Sequence, residues 1–176
     1  MDIYEWILFT IGWIIIASAG VAGLSAAPWV PTRKKEMKLL LKNLDVKPGN
    51  KIYELGCGTG SIVIALAKAN PQAQFFGYEI SILPYLIAKF RSVRHKNVNI
   101  CYKNLFTQSL SNADIVICFL LIKAYDRLAK KFAKELKPEA IVIAEGWPFE
   151  NISPKTVLEA DKTLPFFVYK GEDFKV

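Results

Sequence analysis

A chain of 176 residues has room for one well-packed domain, and this one combines a 52% hydrophobic composition with a formal net charge of +7. Three cysteines in no spaced pair, Cys57, Cys101 and Cys118, argue against a disulfide framework. The single His95 sits in a basic stretch without ligand-like neighbours, so no metal is expected.

Charge is distributed unevenly. No charged residue occurs from Trp6 to Thr32, and beyond Thr32 23 basic residues face 14 acidic ones, a net +9. Such a balance suits an anionic membrane surface, an acidic partner or nucleic acid. As a helix, Trp6 to Val30 would extend roughly 37 Å, enough to cross a hydrocarbon core of ~30 Å. Tyr4, Trp6 and Trp29 lie where interfacial rings sit, Asp2 and Glu5 precede the run, and Arg33, Lys34 and Lys35 follow it. A signal peptide would want a basic start, and Pro28 follows the small-residue stretch Ser25-Ala26-Ala27. The expectation is a single-pass membrane anchor over residues 1–30 and a domain over residues 31–176. The positive-inside rule places that domain in the cytoplasm.

Pro28-Trp29-Val30-Pro31 reads as a short linker, after which Thr32 is placed to cap a helix running to about Leu44. Short apolar runs then alternate with helical stretches. Strands are expected at Lys51–Leu55, Ala73–Ile80, Val98–Tyr102, Ile115–Leu120, Ala140–Ala144 and Pro165–Tyr169. Helices are expected at Ser61–Ala69, Leu83–Arg91 and Lys123–Leu136. The alternation is that of an α/β, doubly wound, mostly parallel Rossmann-like sheet. The last residues, Gly171 to Val176, offer only a stub for a seventh strand.

Ligands of such sheets bind at the carboxyl ends of the strands. There the first strand runs into Glu54-Leu55-Gly56-Cys57-Gly58-Thr59-Gly60 and straight on into a helix. Glycines let the backbone turn sharply and approach a ligand. The second strand ends at Glu79, where a carboxylate can accept both hydroxyls of a ribose. The dinucleotide fingerprint is G-x-G-x-x-G, whereas Gly56, Gly58 and Gly60 are each two apart. Glu54 adds a negative charge that would repel a pyrophosphate and suits a sulfonium and an ammonium.

These residues resemble the class I, seven-strand, S-adenosylmethionine-dependent methyltransferases, from Lys51 to about Tyr169. The resemblance implies that Glu54 and the loop of Gly56, Cys57, Gly58, Thr59 and Gly60 cradle the amino-acid end of S-adenosyl-L-methionine. It further implies that Glu79 holds the ribose, that Ile80 lies against the adenine, and that Asn104 with Leu105 reads its edge. Phe119, at the exit of the fourth strand, would face the transferable methyl. A closer similarity is carried by Pro28-Trp-Val-Pro-Thr-Arg-Lys-Lys, Gly77-Tyr-Glu-Ile, Asn104-Leu-Phe and Trp147-Pro-Phe. These segments are similar to the membrane-anchored protein-lysine methyltransferases, a family that includes the enzyme acting on the ATP synthase c-subunit. That family has Asp-Gly-Arg where this chain has Thr59-Gly60-Ser61, and Asp where it has Asn104.

Methyl transfer from a sulfonium is an in-line displacement in which the protein aligns the nucleophile and excludes water. Burial in an apolar slot lowers an amine's pKa and helps a lysine lose its proton. Position alone suggests Phe119, Leu120, Trp147, Pro148 and Phe149 as that slot, with Tyr125 beside them; no single catalytic residue stands out. The fourth-strand exit lacks Asn-Pro-Pro-Tyr or Asp-Pro-Pro-Tyr, which argues against a planar base or amide target, and no aromatic-rich basic stripe supports nucleic acid. Three readings stay open: a lysine methyltransferase for a membrane or membrane-adjacent protein, a lipid methyltransferase for a phospholipid amine or isoprenoid, and a cofactor-binding membrane assembly factor without turnover.

Overall fold

The computed structural model describes residues 2–25 and 32–175. Its centre is a seven-stranded sheet in the order β3-β2-β1-β4-β5-β7-β6. The strands are β1 (Lys51–Leu55), β2 (Gln74–Glu79), β3 (Val98–Tyr102), β4 (Ile115–Cys118), β5 (Ile141–Glu145), β6 (Thr156–Leu158) and β7 (Phe166–Lys170). The first five run parallel, and β7 lies antiparallel between β5 and β6. Helices α2 (Lys34–Asn43), α3 (Ser61–Ala69), α4 (Ile82–Ser92) and α5 (Tyr125–Glu135) join them, and α1 (Ile3–Ser25) precedes them. The expected doubly wound, mostly parallel sheet is present.

Its central strands are near-continuous Ile and Val because both faces are covered. Alternate residues serve opposite layers. Leu55, Val116, Cys118, Val142 and Ala144 pack with Leu128 and Phe132 of α5. Ile52, Ile115, Ile117 and Ile143 pack with Val63 and Leu66 of α3 and Leu40 of α2. Each Val, Leu, Ile or Phe among them contributes about 1.5–3 kcal/mol by leaving water.

Three local expectations are corrected. Thr32 does not cap α2, whose N-cap is Arg33; the Thr32 hydroxyl instead donates to Glu145 Oε2 at 2.9 Å, tying the start of the domain to the end of β5. The helix expected from Lys123 opens as a 3-10 turn at Ile122–Ala124 and becomes α-helical only at Tyr125. The seventh strand comes from Thr156–Leu158, while Gly171–Phe174 is a 3-10 turn. That turn packs so closely that a Cβ on Gly171 would stand 2.0 Å from the Lys137 carbonyl oxygen, which leaves no space for a strand side chain.

The N-terminal apolar run is helical. Asp2 and Glu5 cap it reciprocally, each backbone N–H donating to the other's carboxylate at 2.8 and 2.9 Å. Its large apolar side chains are exposed, Trp6, Phe9, Trp13 and Ile16 by 52–63%. Among the described residues no helix is long and apolar enough to cross a membrane. Only the helical part of the anchor expectation therefore stands on the structure. The expected span reached Val30, and residues 26–31, with the whole Pro28–Pro31 linker, lie outside the described residues.

Candidate functional site

Three backbone features shape the loop after β1. Gly56, Gly58 and Gly60 all have positive φ, at 75, 52 and 73°, a region in which side chains other than glycine's are strained. The N–H groups of Gly56 and Cys57 both donate to the Tyr78 carbonyl, at 2.9 and 3.0 Å, pinning the loop to the end of β2. Close packing does the rest. A Cβ on Gly56 would lie 2.8 Å from Leu120 Cδ2, and one on Gly77 would lie 2.7 Å from Cys57 Sγ. Glycine at these two positions lets the loop sit against the β4 exit and lets Cys57 seat over β2.

Glu79 is the loop's anchor. Its carboxylate accepts three backbone N–H bonds, from Gly58 at 2.8 Å, Ile80 at 2.8 Å and Ser81 at 2.7 Å. A carboxylate has about four lone-pair sites, so capacity remains for a ribose hydroxyl. Glu54 is buried one strand away and accepts the Val63 N–H at 2.8 Å. Burial pushes its carboxyl up to about 8, opposed by the Val63 bond and reinforced by the charges of Glu145 and Glu79. A cation placed beside it would draw that value back down, which suits a sulfonium or ammonium ligand. Burial, with the charges of Glu54 and Glu79, also raises the Cys57 thiol, so it behaves as a packed, protonated group.

Sequence reasoning missed Arg91. Its guanidinium reaches back from α4 to donate to the Thr59 carbonyl at 2.8 Å and to the hydroxyls of Thr59 and Ser61 at 3.2 and 3.3 Å. Thr59 and Ser61 are the positions at which the loop departs from the resembled family, and Arg91 ties them to α4. An arginine in a basic helix end gives no signal for such a contact in one dimension.

The residues expected beside the adenine gather around the end of β3. Asn104 Oδ1 accepts the Phe106 N–H at 3.0 Å and so opens the turn at Leu105–Thr107. That bond occupies one of about four hydrogen-bonding positions of the amide. Leu105 is buried and Ile80 half-buried, both at the carboxyl edge of neighbouring strands.

At the β4 and β5 exits the expected slot divides in two. A Cβ on Gly146 would stand 3.3 Å from the Phe119 ring, so the two exits meet, and Trp147 is 49% exposed with Pro148 beside it. Leu120, Tyr125 and Phe149 face the other way and are buried. Phe149 stands 4.7 Å from the Tyr125 ring centroid, packs edge-on against Phe132, Phe174 and Tyr169, and donates its N–H to the Tyr169 hydroxyl at 2.9 Å. With four rings around it and 3% exposure, Phe149 is a core ring rather than a wall of an open slot.

Glu145, which the sequence did not single out, ends β5 on the same face as Glu54. It is 1% exposed, and burial holds its carboxyl at about 7 despite the Thr32 hydrogen bond. Its Oε1 has no hydrogen-bond partner among the described residues. Glu54 is in register through Ile117 with Ile143, so Glu145 lies two strands over, at ~4.8 Å each, and two residues further along, about 12 Å away. A cleft of about 460 Å³ at the starts of β2 and β3, bordered by Gln74 and Lys96, lies at the opposite edge and takes no part in this arrangement.

Comparison with known proteins matches residues 54–156 to the family described as ANTKMT methyltransferase domain. A protein named protein-lysine N-methyltransferase from Saccharolobus islandicus is 31% identical over 137 residues, covering 76% of this chain and 85% of that protein. A protein from Xenopus laevis, named as the lysine N-methyltransferase of the ATP synthase c-subunit, is 35% identical over 132 residues, 72% of this chain. This chain spans only 56% of the Xenopus protein's length. Among solved structures, an RNA methyltransferase from Salinibacter ruber in complex with S-adenosyl-L-homocysteine superposes with a TM-score of 0.75 at 24% identity, covering 80% of this chain and 93% of that one. At that identity the likeness speaks for the fold alone.

Proposed function

Because the chain belongs to the family of the ANTKMT methyltransferase domain, we propose that it methylates a lysine amine of a membrane or membrane-adjacent protein. The observation that carries the lysine reading is the 31% identity, over 76% of this chain, to a protein named for that activity. The cofactor of the domain is S-adenosyl-L-methionine, which supplies a methyl group already activated on a sulfonium. The protein's own task is alignment and exclusion of water.

In this reading Glu54 and the Gly56–Gly60 loop hold the amino-acid end, with the Glu54 carboxylate also facing the sulfonium, Glu79 accepts the ribose hydroxyls, and Ile80, Asn104 and Leu105 hold the adenine. Phe119, Trp147 and Pro148 form the rim through which the target side chain enters. Glu145, with one buried oxygen free of partners, accepts a hydrogen bond from the incoming ammonium. The residues fit the cofactor: the positive-φ glycines turn the loop sharply at the end of β1, close against the neighbouring strand exit, and the carboxylates of Glu54 and Glu79 supply the charge a sulfonium requires.

We assign α1 and the segment after it, residues 1–30, to a membrane anchor, with residues 31–176 as the catalytic domain on the cytoplasmic side. The support is the row of exposed apolar side chains on α1 and the Arg33-Lys34-Lys35 cluster beyond it. Mass spectrometry of membrane proteins and lipids from cells with and without the gene tests the substrate. Loss of a methylated lysine peptide supports the proposal. A lipid that loses a methyl group while every lysine peptide is unchanged overturns it in favour of lipid methylation.

A further inference from the structure

Helix α4 is apolar on the side that faces away from the sheet. Leu83, Leu86, Ile87, Phe90 and Val93 recur at three- and four-residue spacing and are 47, 54, 39, 83 and 75% exposed, while Ala88 and Ser92 are buried behind them. Large apolar side chains left in water as one contiguous strip mark an interaction surface. Its charge setting is equally one-sided. No acidic residue occurs between Glu79 and Asp114, a stretch that holds Lys89, Arg91, Arg94, Lys96 and Lys103. Arg91 bonds back to Thr59 and Lys89 to the Ile100 carbonyl; Arg94 and Lys96 are exposed past the C-terminal end of the strip, and Lys103, whose N–H bonds the Glu79 carbonyl, is exposed near its start. Helix α1, itself exposed and apolar, comes against α4.

We infer that the outer face of α4 seats in the headgroup layer of an anionic bilayer, as a second membrane contact beside α1. The inference rests on the reading of α1 as an anchor. A bilayer surface offers apolar depth and negative charge together, which is what a strip of Leu, Ile, Phe and Val rimmed by cations matches. A second copy of the chain would bring cations against cations and be repelled. The placement also has a use. Helix α4 begins at Ile82, directly after the β2 end that holds Glu79, so seating it brings the carboxyl edge of the sheet close to the lipid, where lysines of membrane proteins emerge.

The full-length chain, carrying an environment-sensitive nitrobenzoxadiazole label on Phe90→Cys or, separately, on Lys130→Cys of α5, tests this on two kinds of vesicle. One is phosphatidylcholine alone and the other phosphatidylcholine mixed with phosphatidylglycerol; unsubstituted chain labelled in parallel corrects for Cys101. The expected result is blue-shifted emission at position 90 on the mixed vesicles, with quenching by brominated lipid at least about twofold stronger than at position 130. On phosphatidylcholine alone the effect at position 90 falls. If the chain floats with vesicles while the position-90 label stays solvent-like on both, the α4 contact is overturned and the anchor stands. If the chain floats with neither, the anchor reading fails and takes this inference with it. A blue shift at position 90 that needs high protein concentration and no vesicles would replace the bilayer with self-association.

Discussion

The ends of β2 and β5 lie in the same sheet and point the same way, yet they are finished differently. At the end of β2, Glu79 is bonded by three N–H groups of its own and the neighbouring turn, and the loop it holds is locked by glycine conformation. At the end of β5, Glu145 keeps an unpartnered oxygen, Trp147 stands half in water, and two residues later Phe149 is sealed in the core. In the proposed reading the cofactor end is complete before a ligand arrives. In that reading the β5 end is left for the target to complete, as fits a site where one small molecule is constant and a protein substrate supplies its own contacts.

Mutations at these two ends can break or sharpen that contrast. The largest effect is expected for Phe149→Ala, which empties a core ring and should cost about 3–5 kcal/mol of stability, read by chemical denaturation. Next comes Glu79→Ala, which strands three amide donors and should cost on the order of 2–3 kcal/mol. It should also weaken S-adenosyl-L-methionine binding at least about tenfold by titration calorimetry. Cofactor affinity unchanged in this variant would sink the claim that the loop is finished by Glu79.

A smaller effect concerns pH. The Glu54 carboxyl is held at about 8, mainly by burial, above its ordinary value of 4.5. The folded chain therefore holds this proton where the unfolded chain has released it, and stability falls as pH rises from the ordinary carboxylate range through about 8. A sulfonium reverses part of that loss. The affinity for S-adenosyl-L-methionine relative to the neutral S-adenosyl-L-homocysteine should therefore rise several-fold between about pH 6 and 9. A ratio that stays flat across this range argues that Glu54 does not face the sulfur. The smallest shift in stability belongs to Trp147→Ala, within about 0.5 kcal/mol of the parent because the ring is half exposed. Its methyl transfer to membrane protein, followed with labelled cofactor, should nonetheless drop about tenfold; unaltered turnover would remove Trp147 from the rim.

Legibility in the sequence follows the same divide. The bounds of β1, α3 and β3 and the glycine loop between β1 and α3 could be read from the chain because local periodicity and glycine spacing fix them. Thr32 was misread as a cap because its hydroxyl finds Glu145, 113 residues away, and such a contact leaves no local trace. Arg91 is invisible for the same reason. Phe149 and Trp147 are both aromatics next to a strand end; only the fold separates a core ring from a rim ring. β6 escaped because three residues with mostly exposed side chains carry no periodicity to recognise.

That brevity of β6 has a consequence of its own. An edge strand is a template of unpaired amides and carbonyls on which another chain can zip up, and the danger grows with length. At the β6 edge the outermost strand is only Thr156–Leu158, with Pro154 just before it and Lys155 paired to Asp173. If the proposed anchor holds, the chain is confined to two dimensions and meets its own copies far more often than one dissolved in three. With three residues of open rim, the β6 edge offers those encounters almost nothing to extend.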